Sequence, residues 1–356
     1  MSLGVGEWAG EMRTWFLLFV IVAAVGVAAG CSSGSGSTSP TPIPTQSSRA
    51  GDDVLAFGDD FTVGIGTTSC GLVFGGECVT TPSDPGVSAA ENPQGWAQSV
   101  AGYVASNPRW QPSTFVPLGV SGTFSGDAPK PEPYGDMLVN AGQFGDLTTI
   151  ATNVRSTNIG MLVLIESGIN DTLDAFESQQ CTSGGGTVTG YSGGNYASFT
   201  TPSSYCYASG TTLGASGTLN AAFTTMLSDL NGLAGGAPEA TVIVGVPNLG
   251  AFPMCLAQYG AGSPQCTALT ADAQQANAAI QAAIANAADK NVVFADWYTY
   301  FNSNPSYYST TYFASDNFHL DNQGYGVLAT FVEQTILNGI SAGTLNMSKA
   351  TGPPAR

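Results

Sequence analysis

Short apolar segments alternate with segments of helical periodicity from residue 50 onwards, and this alternation constrains the fold most strongly. The short segments are rich in β-branched residues and have the length of strands. Nearly continuous apolar strands separated by helical segments are typical of a parallel sheet covered by helices on both faces. The five predicted strands are Val54–Phe57, Thr114–Leu118, Met161–Ile165, Thr241–Val246 and Val292–Asp296.

Three segments have the pattern of helices that cover such a sheet. Residues 218–234 place apolar side chains on one stripe at helical period, and residues 323–340 do the same. Residues 270–289 are rich in Ala, the residue with the highest helix propensity. Strands and helices together predict an α/β domain with a five-stranded parallel sheet.

The amino-terminal segment has the features of an export signal. Residues 14–29 form one apolar run of about the length of a signal-peptide core. The run leads into Ala28-Ala29-Gly30-Cys31, which resembles the junction of a bacterial lipoprotein signal. We expect translation to start at Met12, residues 1–30 to be removed, and Cys31 to carry the lipid that holds the protein at a membrane. An uncleaved amino-terminal anchor is the alternative.

Composition divides the rest of the chain into a tether, a domain and a tail. Residues 31–49 are rich in Ser, Thr, Gly and Pro, a composition that cannot bury apolar surface and behaves as a tether. We expect one domain over 50–341, with the Gly-, Ser- and Tyr-rich segment 172–216 as an insertion. Residues 342–356 are expected to form a flexible tail.

The chain carries few charges and one His. Its 25 acidic residues outnumber its 8 Lys and Arg, which gives a net charge of −17. Scarce, scattered basic residues make nucleic acid a poor partner. The single His excludes a metal site built from several His side chains, so all imidazole chemistry depends on His319. We expect a monomer with no cofactor and no nucleic-acid partner.

Six cysteines follow Cys31, in three pairs of neighbours. An exported protein meets conditions under which disulfides form. Six cysteines allow 15 connectivities, but each pair lies within one Gly/Ser-rich region, which favours local closure. The expected disulfides are Cys70–Cys78, Cys181–Cys206 and Cys255–Cys266.

Four short blocks carry the candidate chemistry. The first, FGDDFTVG at 57–64, follows the leading strand, where open α/β sheets place their sites. The others are Gly119-Val120-Ser121-Gly122-Thr123, Gly168-Ile169-Asn170-Asp171 and Asp316-Asn317-Phe318-His319. In this order, with the only His in the last block, they resemble the SGNH, or GDSL, hydrolase family from residue 53 to about 335. The loop 245–253, GVPNLGAFP, resembles the lipase-like members.

The resemblance implies a three-layer α/β/α fold of flavodoxin-like type and the hydrolysis of esters. In this family a Ser of the first block attacks the ester, and a His takes its proton. An Asp three residues earlier orients the imidazole, and polar donors stabilise the oxyanion. Carried over by position, His319 is the base and Asp316 its partner. Gly122 and Asn170 are the oxyanion donors.

The chain departs from the family at the nucleophile, because Asp60 stands where the family has Ser. A carboxylate has no proton for His319 to remove, and its charge repels a second anion at the carbonyl oxygen. The ordinary acyl-serine mechanism cannot run on Asp60.

Several alternatives follow from this departure. Asp60 could attack directly as a carboxylate, with His319 then activating water. A hydroxyl of Thr62 or Ser121 could replace the nucleophile, although the attacking atom would then move by several ångströms. A divalent ion could be held by the acidic residues and the imidazole, Asp59, Asp60, Asp316 and His319. Finally, the cleft could have lost catalysis and kept binding.

Other residues of these blocks have expected structural roles. Asp59 is expected to fix the first-block turn by accepting backbone hydrogen bonds, and Asp171 to support the fold. Residues 297–318 hold nine aromatic side chains, which either line a groove for acyl chains or sugar rings or pack as a loop on the domain. They are Trp297, Tyr298, Tyr300, Phe301, Tyr307, Tyr308, Tyr312, Phe313 and Phe318.

The sequence therefore predicts an ester hydrolase that acts outside the cytoplasm, lipid-anchored to the bacterial cell envelope. Its expected partners are the membrane, through the lipid on Cys31, and an ester-bearing lipid or acylated glycan. The alternative is a catalytically lapsed lipoprotein that binds a lipid or glycan in the same cleft.

Overall fold

A parallel sheet of five strands organises the part of the chain that the computed structural model describes. The described residues are 52–70, 94–106, 112–117, 119, 125, 161–180, 187–192, 195–200, 212–233, 237–345 and 347. The strands of this sheet are β1 (Asp52–Gly58), β2 (Pro112–Pro117), β3 (Met161–Glu166), β6 (Ala240–Val244) and β7 (Val292–Ala295). Two further strands, β4 (Thr187–Ser192) and β5 (Asn195–Thr200), pair with each other in antiparallel fashion.

The sheet has the strand order β2-β1-β3-β6-β7, and all its pairs are parallel. Because β1 lies between β2 and β3, the order of the strands reverses beside it. In doubly wound sheets such a reversal opens a crevice at the carboxyl ends of the strands, where ligands bind. The first and third sequence blocks follow β1 and β3 directly and so lie at this crevice.

Helices cover both faces of the sheet. The described helices are α1 (Asp60–Val63), α2 (Trp96–Ser106), α3 (Ile169–Gln180), α4 (Thr218–Asn231), α5 (Pro253–Tyr259), α6 (Pro264–Asn286), α7 (Trp297–Ser303) and α8 (Asn322–Ser341). Helix α2 packs against α8, while α3 and α4 pack against α6. The predicted α/β class with a five-stranded parallel sheet is confirmed, and each strand lies within two residues of its expected bounds.

The three predicted helices are α4, α6 and α8. Helix α6 begins at Pro264, six residues before the predicted start, because the Ser263 hydroxyl accepts a hydrogen bond from Cys266 N and Pro264 occupies the first turn. The Asp321 carboxylate caps α8 in the same way. No described helix has both the length and the apolar character that crossing a membrane requires.

Two expected boundaries need correction. Helix α3 takes up the first part of the segment 172–216, because Leu173 and Phe176 lie on a buried helical stripe; the insertion therefore begins after α3. The flexible tail does not begin at 342. Leu345 is 3% exposed and donates its backbone N–H to Gly339 O, so the chain stays packed on α8 beyond its end.

One of the expected disulfides lies wholly among the described residues. Cys255 and Cys266 are joined, and their bond ties α5 to α6. Cys70 is also disulfide-bonded. Its expected partner Cys78 lies outside the described residues, as do Cys181, Cys206 and the lipidation site Cys31 with the signal and tether segments.

Candidate active site

The turn between β1 and α1 is set by a glycine and an aspartate. Gly58 has φ +152°, and a Cβ there would lie 2.8 Å from Thr62 Cβ and closer still to Glu166 O. Asp59 caps α1, because its Oδ1 accepts a hydrogen bond from Phe61 N at 3.1 Å. This is the backbone bonding expected for Asp59. The turn places Asp60, 5% exposed, at the carboxyl end of β1.

In the last block, the carboxylate of Asp316 holds the imidazole of His319. Asp316 Oδ2 lies 2.6 Å from His319 Nδ1, while Oδ1 accepts from Phe318 N and His319 N at 3.0 and 3.1 Å. Burial acts to raise the pKa of Asp316. The hydrogen bond and charge of His319, with the two backbone donors, outweigh burial and hold the pKa below its ordinary value. With Nδ1 held by a carboxylate, Nε2 is the nitrogen for proton transfer.

The first and last blocks lie against each other. The rings of Phe61 and His319 have centroids 5.4 Å apart, and Phe61 packs edge-on against Phe318 at the same distance. Gly66 allows the chain after α1 to pass His319, since a Cβ there would lie 3.0 Å from His319 Cβ. Tyr325 of α8 donates from its hydroxyl to Ile65 O at 2.9 Å. The residue after Asp60 is therefore in contact with the candidate base.

The third block reaches the first through Asn170. Asn170 Nδ2 donates to Asp59 Oδ2 at 3.5 Å, which places the expected oxyanion donor beside the first-block turn. Asp171 Oδ2 accepts from both the backbone N and the hydroxyl of Ser125 at 2.9 Å. Asp171 thus supports the fold by anchoring a residue close to the second block. The second expected oxyanion donor, Gly122, lies outside the described residues.

The loop after β6 supports the last block. Asn277 of α6 bonds both backbone groups of Val246, with Oδ1 2.8 Å from N and Nδ2 2.7 Å from O. Further along the loop, Met254 N donates to Asn317 O at 3.0 Å. Asn317 has φ +59°, a conformation that Asn adopts more readily than most residues. The motif 245–253 therefore helps to hold the loop that carries Asp316.

Glu166 is a site residue that the sequence analysis missed. It ends β3, is 1% exposed, and accepts a hydrogen bond from the Thr62 hydroxyl at 3.1 Å. Its carboxyl group is also hydrogen-bonded to that of Asp59. Burial raises the pKa of Glu166 to about 7. Burial, followed by repulsion from Glu166 and Asp60, raises the pKa of Asp59 well above its ordinary value.

Two of the alternative chemistries find no support in this geometry. The Thr62 hydroxyl donates to Glu166 and lies 3.3 Å from Phe57 O, so it is held inside the turn, which argues against Thr62 as nucleophile. Ser121, the other hydroxyl considered, lies outside the described residues. Within the described ranges, no three His, Cys, Asp or Glu side chains are arranged to hold a metal ion.

Most of the aromatic cluster belongs to the packed interior. Trp297, Phe301 and Phe318 are fully buried or nearly so. Tyr300 stacks on Phe331 of α8 with ring centroids 4.2 Å apart. The five tyrosines of the cluster are partly buried against the core. These contacts favour the interpretation of a packed loop over that of a ligand groove.

Comparisons with known proteins show the family of the chain. A model of the GDSL-like Lipase/Acylhydrolase family matches residues 56–327. Among solved structures, an α/β hydrolase enzyme from the metagenome of Lake Arreo, Spain, is 13% identical, with 83% of this chain and 97% of that chain covered and a TM-score of 0.45. The inhibitor-bound aryl esterase of M. smegmatis is 15% identical, with 80% and 99% covered and a TM-score of 0.38. No curated protein matches.

Proposed function

Because the chain belongs to the GDSL-like lipase/acylhydrolase family, we propose that it hydrolyses carboxylic esters. His319 acts as the acid and base, and Asp316 orients it. Asn170 and Gly122 donate to the carbonyl oxygen. The observation that carries the proposal is the 2.6 Å contact between Asp316 Oδ2 and His319 Nδ1, which fixes the imidazole beside the turn of Asp60.

Asp60 takes the place of the nucleophilic Ser in this proposal. One of its carboxylate oxygens attacks the ester carbonyl carbon, and the bond to the alcohol oxygen breaks. Protonated His319 gives its proton to the leaving alkoxide, which leaves a mixed anhydride on Asp60. Neutral His319 then takes a proton from water, and the resulting hydroxide attacks the anhydride. The acid is released and Asp60 is restored as a carboxylate.

We place this reaction outside the cytoplasm, with the protein held at the cell envelope by a lipid on Cys31. The apolar run 14–29 and the small residues before Cys31 support this location. The disulfide between Cys255 and Cys266 is also typical of exported proteins. An ester-bearing lipid or an acylated glycan is the proposed substrate.

Turnover of p-nitrophenyl esters tests the proposal. The purified protein should release p-nitrophenol faster than buffer, and His319→Ala and Asp60→Asn should both abolish the excess. Asp60→Asn keeps the shape of the side chain and removes the attacking carboxylate, so it tests the carboxylate of Asp60 specifically. Hydroxylamine added during turnover should convert the anhydride to a hydroxamate on the Asp60 peptide, detected by mass. A rate equal to that of buffer at every acyl length would contradict the proposal.

A second candidate function, binding without turnover, is favoured by the negative charge of Asp60. The carboxyl groups of Asp59 and Glu166 both feel the charge of Asp60. Negative charge at the nucleophile position opposes a second anion on the carbonyl oxygen. If this candidate is correct, the wild-type protein is inert, whereas Asp60→Ser gains turnover and reacts with a fluorophosphonate.

A further inference from the structure

Glu166 is the last residue of β3 and lies beside the last residue of β1. It is paired in register with Gly58, so its backbone adjoins the start of the first-block turn. Its side chain is buried, and it binds that turn at two points. Thr62 donates its hydroxyl to Glu166 Oε2 at 3.1 Å, and the carboxyl group of Asp59 interacts with Glu166 from the other end of the turn. Asp60 lies between these two attachments.

A hydrogen bond between Asp59 and Glu166 requires a proton on one of the two carboxyl groups. Two carboxylates cannot hydrogen-bond each other, because a carboxylate has acceptors and no donor. Both groups are buried. Among the described residues, the one Lys or Arg is Lys290, which is exposed and donates to Ala287 O, and the imidazole of His319 is paired with Asp316. No cation of the described residues therefore neutralises the pair. The raised pKa values of both groups agree with a shared proton.

The same pair touches the candidate oxyanion donor. Asp59 Oδ1 accepts from Phe61 N, and Asp59 Oδ2 accepts from Asn170 Nδ2. Asp59 therefore connects Glu166 to the Asn170 amide and to the backbone of the turn. The other titratable groups that face Glu166 are Asp60 and, from α8, Tyr325.

We propose that Glu166 is a positioning residue of the ester-hydrolase site: it shares one proton with Asp59, and the pair holds the turn of Asp60 and the amide of Asn170 in place. The inference rests on the proposed function for its catalytic consequence. Loss of a proton from the pair adds negative charge to the buried turn and loosens it.

The pH dependence of stability has a definite sign. The pKa of Glu166 is raised from 4.5 to about 7 by burial, so the folded protein binds a proton that the unfolded chain has released. The stabilisation is complete below the unfolded pKa and is lost as pH rises through about 7. Turnover should fall over the same range, by about tenfold or more, because small displacements of an attacking atom are costly.

Glu166→Gln tests the inference, because Gln donates to Asp59, accepts from Thr62 and does not titrate. The melting temperature of the full chain is measured from about pH 5 to about pH 9, with the infrared carbonyl band of protonated carboxyl groups as a second readout. As the pH is raised, the melting temperature of the wild-type protein should fall relative to that of the variant. Near neutral pH, the variant should lack part of the infrared band of protonated carboxyl groups. The decline of kcat with pH should disappear in the variant, with KM little changed.

Asp272→Asn is the matched control. Asp272 is a buried residue of α6, and its carboxyl group accepts a hydrogen bond from Gln275 of the same helix. Its replacement should leave the fall of the melting temperature with rising pH as it is in the wild-type protein. Parallel melting curves and an unchanged infrared band in Glu166→Gln would overturn the inference. If Glu166→Gln does not fold, Asp59→Asn and the wild-type infrared band decide in its place. Neither the melting curves nor the infrared band requires turnover, so the shared proton and the hydrolase activity can fail separately.

Discussion

Replacing Gly58 by Ala should destabilise the protein more than any conservative change elsewhere in β1. The added methyl group would lie 2.8 Å from Thr62 Cβ and closer to Thr62 Oγ1 and Glu166 O. Glu166 O belongs to the paired strand and cannot yield without opening the sheet. Thr62 could yield only by giving up its hydrogen bond to Glu166.

The size of the loss follows from three contributions. Overpacking a rigid site costs about 1–3 kcal/mol. An L-residue at the φ of +152° found for Gly58 costs about 1–3 kcal/mol in backbone strain. The lost buried hydrogen bond of Thr62 adds about 1 kcal/mol. We therefore expect the free energy of unfolding to fall by about 3–7 kcal/mol.

Urea unfolding measures this loss, followed by the fluorescence of the buried Trp96 and Trp297. The control is Gly102→Ala in α2, where a Cβ meets nothing within 4 Å and should stabilise the helix by about 0.5–1 kcal/mol. The same chemical change thus has opposite signs at the two glycines. A Gly58→Ala protein within about 1 kcal/mol of wild type would refute the close approach of the turn to β3.

Three further predictions test the site and its support. Asp316→Asn should lower kcat by about 100-fold or more with little change in KM, because the imidazole loses its orienting carboxylate. Because the pKa of Asp316 is lowered in the folded protein, the Asp316 carboxylate stabilises the fold at pH values above its ordinary pKa of 3.8. This stabilisation is lost at lower pH, so acid unfolding of the wild-type protein and of Asp316→Asn should differ. Cys255→Ser should reduce the free energy of unfolding by about 2–3 kcal/mol in urea, because the bond to Cys266 closes a short loop. Asp60→Ser should lower the pH at which Glu166 loses its proton and the melting temperature falls, because the charge of Asp60 helps to raise the pKa of Glu166.

The strands could be predicted from sequence because burial on both faces imposes an apolar run. Every residue of β3 and β6 is buried, and both appear in the sequence as nearly continuous apolar segments. Helices α5 and α7 have seven residues each and depend on local caps, Pro253 and the Asp296 carboxylate, so they have too few turns to show a period. The antiparallel pair of β4 and β5 was also missed, because its Gly-, Ser- and Tyr-rich sequence carries no apolar alternation.

The candidate site was predictable where a motif is local in sequence. Asp316 and His319 are three residues apart, and their contact is a property of one loop. The relation of Asn170 to Asp59 is not local, and the order of the blocks along the chain pointed to it only through the resemblance to the hydrolase family. Gly122 was assigned on the same resemblance and stays a prediction.

Glu166 shows why the rest could not be predicted. An acidic residue at the end of an apolar strand signals a buried partner, but Thr62, which bonds it, is 104 residues away. Asp59, Asp60 and Glu166 would place three charges together in a buried turn, which is prohibitive without a counterion. In the proposed pair, one proton shared by Asp59 and Glu166 reduces these three charges to two.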